Sequence, residues 1–125
     1  MKVIDASAWV EAWGTPLLRE AGLDEAVVPG HFDAEVLHSA RGLVRAKKLA
    51  RFEGDDLITT TSIAPFLRIP AWELIEAAWT LAESVSGYDA LYVALAMREN
   101  VPLLTADGRL ARGARDLCEI ELLEL

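Results

Sequence analysis

Along the chain, short apolar runs alternate with stretches whose apolar residues recur every three to four positions, a pattern that predicts strands interleaved with helices. Lys2 to Asp5 reads as a short buried strand, and Ala6 to Trp13 continues as a helix with Ala8, Trp9 and Ala12 on adjoining turns. Gly14 stops it, and Thr15-Pro16 offers an N-cap and a first-turn proline for a second short helix ending near Gly22. Ala26 to Pro29 is the next expected strand. From His31 to about Lys47, residues Phe32, Val36, Leu37, Ala40, Leu43 and Val44 fall at helical spacing. Glu53 to Ile63 carries conflicting signals, since Asp55-Asp56 suits a helix start while Thr59-Thr60-Thr61 prefers extended backbone; helix is the reading adopted. Phe66 to Ile69 is expected as a strand closed by Pro70, followed by a helix from Ala71 to Glu83 with Trp72, Ile75, Ala78, Trp79 and Ala82 on one side. After a break at Ser84 to Gly87, the almost wholly apolar run from Tyr88 to Met97 must be buried on several faces. Val101 to Thr105 predicts a strand, Gly108 to Ala114 a short helix and Cys118 to Leu123 a last strand. The expected fold class is α/β, a three-layer α/β/α sandwich around a mainly parallel sheet, and the length suits one domain spanning residues 1–125.

Composition sharpens this picture. A hydrophobic fraction of 53% and a mean hydropathy of +0.24 imply helices buried on most faces or a surface that a partner covers, so a dimer or tight complex is expected. No apolar run reaches the roughly 18 uninterrupted residues that a membrane span needs, and Met1-Lys2 leads straight into Val3-Ile4 without a signal-peptide pattern. The expectation is a cytoplasmic protein with no membrane association. A single cysteine, Cys118, excludes an internal disulfide or a cysteine-rich zinc cage, and apolar Leu117 and Ile120 nearby mark it as a core thiol. The net charge of −8 argues against a nucleic-acid ligand for the surface as a whole. Its distribution is uneven, however, because Arg41, Arg45, Lys47, Lys48 and Arg51 crowd one stretch and Arg98, Arg109, Arg112 and Arg115 gather near the C-terminus. Arg41, Arg45 and Lys48 are candidates for guiding phosphate, against the plainer reading of solvated helix faces.

The acids carry the chemistry. Asp5 directly follows an apolar strand, Asp107 follows Pro102-Leu103-Leu104-Thr105-Ala106, Asp89 opens the most apolar helix, and Glu35 interrupts an otherwise core-facing one. Strand ends in an open α/β sheet converge on a crevice, so these carboxylates can share a pocket although they are distant in sequence. Each aspartate also stands at or near a helix start, where Asp is a preferred cap, and Ser86 three residues before Asp89 resembles a capping box. Capping leaves unexplained why Glu35 sits among Phe32, Val36 and Leu37, or why Asp89 adjoins Ala90 to Leu95, because unpaired buried carboxylates are costly. A bound cation accounts for both. Converging carboxylates repel one another without a metal or proton, and hard oxygen ligands select Mg²⁺ or Mn²⁺ over zinc. Such ions bind a scissile phosphate, activate water and stabilise the leaving oxygen, a chemistry that needs no histidine. Thr105 and Ser7 lie beside Asp107 and Asp5 along the chain and can orient a carboxylate, or equally serve as helix-start hydroxyls.

Val3-Ile4-Asp5-Ala6-Ser7-Ala8, Glu35-Val36-Leu37 after Val28-Pro29, Tyr88 to Ala96, and Leu103-Leu104-Thr105-Ala106-Asp107-Gly108-Arg109-Leu110 stand in an order that resembles PIN-domain nucleases, most of all the VapC-type toxins. The resemblance spans the whole chain, although Arg51 to Trp72 carries no recognisable family motif. It implies that Asp5, Glu35, Asp89 and Asp107 are the catalytic and metal-binding acids, with Thr105 as a supporting hydroxyl. It further implies dependence on Mg²⁺ or Mn²⁺, endonucleolytic cutting of RNA, homodimerisation and inhibition by a cognate VapB-type antitoxin.

Other readings compete. His31, Glu35 and His38 fall at i, i+4 and i+7, a spacing that places them along one helix face as a transition-metal set, but no third distant ligand accompanies them. A phosphoacceptor receiver domain has similar size and strand-end aspartates, yet it wants an acidic pair after the first strand and a late lysine, whereas Ala6 follows Asp5 and no lysine lies beyond Lys48. A non-catalytic binding module, its acids serving as caps, is the third. The spacing of Trp9 with Trp13 and of Trp72 with Trp79 fits core or dimer packing better than base stacking.

Overall fold

The computed structural model describes residues 1–16 and 25–124. Five strands form one sheet in the order β3-β2-β1-β4-β5: β1 (Lys2–Ile4), β2 (Ala26–Pro29), β3 (Leu67–Ile69), β4 (Leu103–Thr105) and β5 (Ile120–Leu122). Every neighbouring pair is parallel, with Val3 opposite both Val27 and Leu103, Val27 opposite Leu67, and Leu103 opposite Ile120. The sheet is therefore wholly parallel where sequence promised mainly parallel. Val3, Ile4, Val27, Val28 and Leu103 are fully buried, as strands covered on both faces must be.

Six α-helices are present among the described residues: α1 (Ala6–Ala12), α2 (Phe32–Arg45), α3 (Arg51–Ile63), α4 (Ile75–Trp79), α5 (Gly87–Glu99) and α6 (Gly108–Ala114). From β1 the chain steps outward to β2 and β3, then returns across the sheet to β4 and β5. Right-handed crossovers place the helices of the outward and return paths on opposite faces, which gives the three-layer α/β/α arrangement. Helix α5 lies across β1, β2 and β4, explaining why its residues Ala90 to Ala96 are all buried. Its hydrophobic run is the centre of one layer.

On the other layer Trp9 is the hinge of packing. Its ring meets Phe66 edge-on at 5.0 Å, Phe66 meets Phe32 at 5.4 Å, and its Nε1–H donates to Thr61 Oγ1 at 2.8 Å. That bond shows how α3 accommodates its threonines: the Thr61 hydroxyl also donates to the Leu57 carbonyl at 2.7 Å, so its polar atom is satisfied inside the helix. Glu53 reaches back to the Ala50 N–H at 3.0 Å, and Arg51 pairs with Asp55 one turn on, supports that resolve the ambiguity of this stretch in favour of helix.

The segment after β3 departs from expectation. In place of one helix from Ala71 to Glu83 there is a 3₁₀ turn over Ala71–Leu74, the short α4, and a run of single turns as far as Ser84. A 3₁₀ turn advances three residues per turn and so shifts the phase of everything after it. Leu74, Ala78 and Leu81 are consequently the buried stripe, while Trp72 and Trp79 are 76% and 79% exposed. Packing within the chain thus holds for Trp9 and, in part, Trp13, and fails for Trp72 and Trp79. The Thr80 hydroxyl donates to the Ala77 carbonyl at 2.6 Å as α4 ends. The short helix expected between Thr15 and Gly22 lies largely outside the described residues. Cys118 is half-buried against the core, and that burial pushes its thiol pKa up. No helix among the described residues is long and apolar enough to cross a membrane.

Candidate active site

Strand β1 is the point at which the chain's direction across the sheet reverses, because β2 and β3 lie on one side of it and β4 and β5 on the other. A crevice opens beyond the carboxyl ends of two parallel strands at such a point, their following helices leading to opposite faces. Asp5 immediately follows β1, and its N–H extends the ladder to the Leu104 carbonyl at 3.1 Å. Two residues beyond β4 stands Asp107. These two acids therefore follow neighbouring parallel strands at the carboxyl edge of the sheet.

Hydroxyls stitch the two strand ends together. Thr105, fully buried, donates to Asp5 Oδ2 at 2.5 Å and accepts from the Asp107 N–H at 3.0 Å. Ser7 donates to Asp5 Oδ1 at 2.7 Å, accepts from the Ala106 N–H at 3.1 Å and lies 3.4 Å from Thr105 Oγ1. Both hydroxyls thus hold the Asp5 carboxylate between the two strand ends while also accepting backbone N–H groups at a helix start. Asp5 also caps α1 through the Ala8 N–H at 2.9 Å, and Asp107 caps α6 through the Arg109 N–H at 2.9 Å.

The remaining acids arrive from two helices. Glu35 lies in the first turn of α2, next to the end of β2, and Asp89 in the first turn of α5. Burial raises the Asp89 carboxyl above its ordinary value against the pull of the Ser86 hydroxyl; Asp107 and Glu35 push it further up, and His31 opposes them. Asp5, only 4% exposed, is raised to about 6, mainly by burial and also by the charge of Asp89, although three hydrogen bonds favour its ionised form. Asp89 thus feels Asp107 and Glu35, and Asp5 feels Asp89. Among the described residues no three His, Cys, Asp or Glu side chains are already drawn into a complete ion-holding cluster.

One residue at this site escaped the sequence reading. Tyr92, 1% exposed and counted there as one apolar residue of a buried run, donates its hydroxyl to Glu35 Oε1 at 2.5 Å. Burial, then Glu35, hold that phenol protonated far above the usual tyrosine range. The available signal was the i, i+3 relation of Asp89 and Tyr92, which puts an acid and a phenol on one face of α5. His31 had been considered as a metal ligand with His38. In the structure its Nε2 faces the Tyr88 carbonyl at 3.0 Å and Glu35 Oε1 at 3.3 Å, whereas His38 is exposed, so the histidine pair does not converge.

The basic stretch occupies another place. Arg41, Arg45 and Arg51 line a cavity of about 660 Å³ between α2 and α3, together with Leu37, Val44 and Ile58. At 1.5 Å per helical residue, Arg41 lies about 9 Å and Arg45 about 15 Å along α2 from Glu35.

The PIN-domain model matches residues 2–116 of the chain, including the stretch from Arg51 to Trp72 in which no motif was legible. The chain belongs to the PIN-domain family. Among its curated relatives are Ribonuclease VapC12 of Mycobacterium tuberculosis, 35% identical with 98% of each chain covered, and Ribonuclease VapC1 of the same organism, 36% identical with 96% of each covered. These similarities place this PIN domain with the VapC ribonucleases. Its fold is also that of the crystal structure of PAE2754 from Pyrobaculum aerophilum, with a TM-score of 0.71 over 95% of this chain and 81% of that one at 16% identity. The receiver-like alternative is thereby excluded.

Proposed function

We propose that this PIN domain is a metal-dependent endoribonuclease, the toxin of a type II toxin–antitoxin pair. The observation that carries the reading is the cluster of mutually repelling carboxylates at the switch point, with a buried Asp5 oriented by two hydroxyls and raised to about 6. Such a cluster is destabilising by itself and is relieved by a cation. The donor set is all oxygen, which suits Mg²⁺ or Mn²⁺. Mg²⁺ commonly keeps several waters and takes only one or two carboxylates directly.

Asp5, Asp89 and Asp107 would hold the ion. When bound, it supplies Lewis-acid stabilisation of phosphate charge and makes water a better nucleophile near neutral pH. Thr105 and Ser7 keep the Asp5 carboxylate in one orientation, and Glu35, partly exposed at the rim, accepts a proton from the attacking water. The phosphodiester P–O bond to the leaving oxygen breaks as water's oxygen bonds to phosphorus. RNA is the substrate this reading assigns, with a cognate VapB-type antitoxin and a second copy of the chain as protein partners. Exposed Trp72, Ile75 and Trp79 are available for such contacts.

The test pairs calorimetric titration of Mn²⁺ with an RNA-cleavage assay. Wild type should bind Mn²⁺ and cleave, and Asp89→Asn, which keeps shape and removes charge, should abolish cleavage with the fold retained. Undiminished cleavage by Asp89→Asn in saturating metal, or a wild type that takes up no Mn²⁺, refutes the assignment; a silent wild type returns the non-catalytic module as the better reading.

A further inference from the structure

Both protein contacts to the Glu35 carboxylate fall on the same oxygen. Tyr92 donates to Oε1 at 2.5 Å from α5, and His31 Nε2 stands 3.3 Å from that same atom. Among the described residues Oε2 has no protein donor. His31 is itself restrained. Its Nε2 faces the Tyr88 carbonyl, which can only accept, so Nε2 carries the hydrogen, and Glu35 Oε1 stands within ion-pair distance of the same nitrogen without a hydrogen bond from it. Its ring lies between two tyrosines, stacked on Tyr88 at 5.8 Å and tilted against Tyr92 at 4.7 Å. His31, one residue before α2, and Glu35, in that helix's first turn, are thereby fastened to the first two turns of α5, where Asp89 lies.

We propose that Tyr92 and His31 are the positioning residues of Glu35, fixing Oε1 so that Oε2 is the oxygen offered to the crevice. The inference rests on the reading of the four acids as a nuclease site and deepens it. A free glutamate side chain samples several rotamers and presents either oxygen, whereas one held at Oε1 by a buried hydroxyl and flanked there by the His31 ring presents one oxygen in one direction. The same contacts tie the β2–α2 junction to α5, so two of the four acids are held in register by side chains rather than by the sheet. Tyr92 suits the task because its hydroxyl is buried and rigidly carried, and His31 because its remaining hydrogen bond anchors the backbone immediately before Asp89.

The experiment measures Mn²⁺ affinity by calorimetry and RNA cleavage as separate kcat and KM, for wild type, Tyr92→Phe, His31→Leu, His31→Gln and Glu35→Gln. Tyr92→Phe should lower kcat by about 10- to 100-fold, with KM within about twofold, and weaken Mn²⁺ binding about tenfold. His31→Leu should behave similarly, and His31→Gln, which keeps an N–H, should recover part of the loss. In a Glu35→Gln background the Tyr92→Phe change should cost less than about twofold, read from Mn²⁺ affinity where cleavage is too slow to follow. Wild-type rates in Tyr92→Phe and His31→Leu, or an equal loss with Glu35 already replaced, would overturn the positioning role while leaving the nuclease reading intact. A wild type that neither binds Mn²⁺ nor cleaves removes that reading and this inference with it. If Tyr92→Phe melts well below wild type, the two His31 variants decide the question alone.

Discussion

Asp5 should make the metal-free protein less stable as pH rises, the reverse of what a salt-bridged carboxylate does. Its carboxyl moves from an ordinary 3.8 to about 6 in the fold. Between these values the folded chain holds a proton that the unfolded chain has released, so stability falls through about pH 4 to 6 and then levels off. At about 1.4 kcal/mol per tenfold change in affinity, the ionised form costs roughly 3 kcal/mol above pH 7. Asp5→Asn removes the charge and keeps the Oδ1 contacts to the Ala8 N–H and the Ser7 hydroxyl. It also puts an amide where Oδ2 met Thr105, whose hydroxyl must turn to accept, a rearrangement worth about 1 kcal/mol. The net expectation is a variant about 2 kcal/mol more stable at pH 7.5, or roughly 6–10 °C in Tm, with the advantage gone by pH 4. Thermal and urea melts in a chelator from pH 4 to 8 read this directly. A stability difference that is flat with pH, or that favours wild type increasingly as pH rises, would show that Asp5 is not held above its ordinary range and would remove the electrostatic case for a cation.

Three further outcomes follow from the same contacts. Millimolar Mg²⁺ or Mn²⁺ should raise the wild-type Tm, by the equivalent of about 2.7 kcal/mol at a hundred times Kd, and should do so far less in Asp89→Asn; an unchanged wild-type melt speaks against the site. Arg68 donates to both Asp33 oxygens at 2.7 and 3.0 Å and to the Thr61 and Ala64 carbonyls, tying β3 to α2 and to the end of α3. Because the pair is about a third exposed and so partly screened, Arg68→Ala should cost about 1–2 kcal/mol by urea denaturation, and a loss under about 0.3 kcal/mol would show the pair to be fully screened. Asp107→Ala should be about 1 kcal/mol less stable than Asp107→Asn, which keeps a capping oxygen for the Arg109 N–H, while both lose cleavage; equal melts would deny the cap any weight.

Legibility in the sequence tracked how local the deciding contacts are. The Gly108–Ala114 helix was readable to the residue because its start is set by Asp107 two and three positions before the amides it caps. Asp5 and Asp107 were expected near one another because strand ends and topology require it, and Thr105 bonds both. The Ala71–Glu83 stretch failed because its phase depends on a 3₁₀ turn that no residue pattern announces, and the exposed Trp72 and Trp79 were therefore put on the wrong side. Tyr92 was missed for a related reason: it finds Glu35 across 57 residues, and periodicity carries no information about which polar tip meets which carboxylate.

The apparent rivalry between capping and metal binding dissolves at the level of single oxygens. Asp107 uses Oδ1 for both helix amides, and Glu35 uses Oε1 for Tyr92, with His31 at ion-pair distance from the same atom; among the described residues neither has a protein donor on its second oxygen. Asp5 differs, since Ser7 and the Ala8 N–H take Oδ1 and Thr105 takes Oδ2, which makes it the most firmly oriented and the most deeply buried of the four. A carboxylate with one oxygen spent on the fold is locked in direction before any ligand arrives, so little rotamer entropy remains to be lost on binding. Helix starts at the carboxyl ends of parallel strands are thus where an acid can be fixed by backbone amides and still face a crevice. That coincidence is why the sequence admits both readings of Asp5 and Asp107, and why a change that spares the cap, Asp to Asn, is the one that isolates charge.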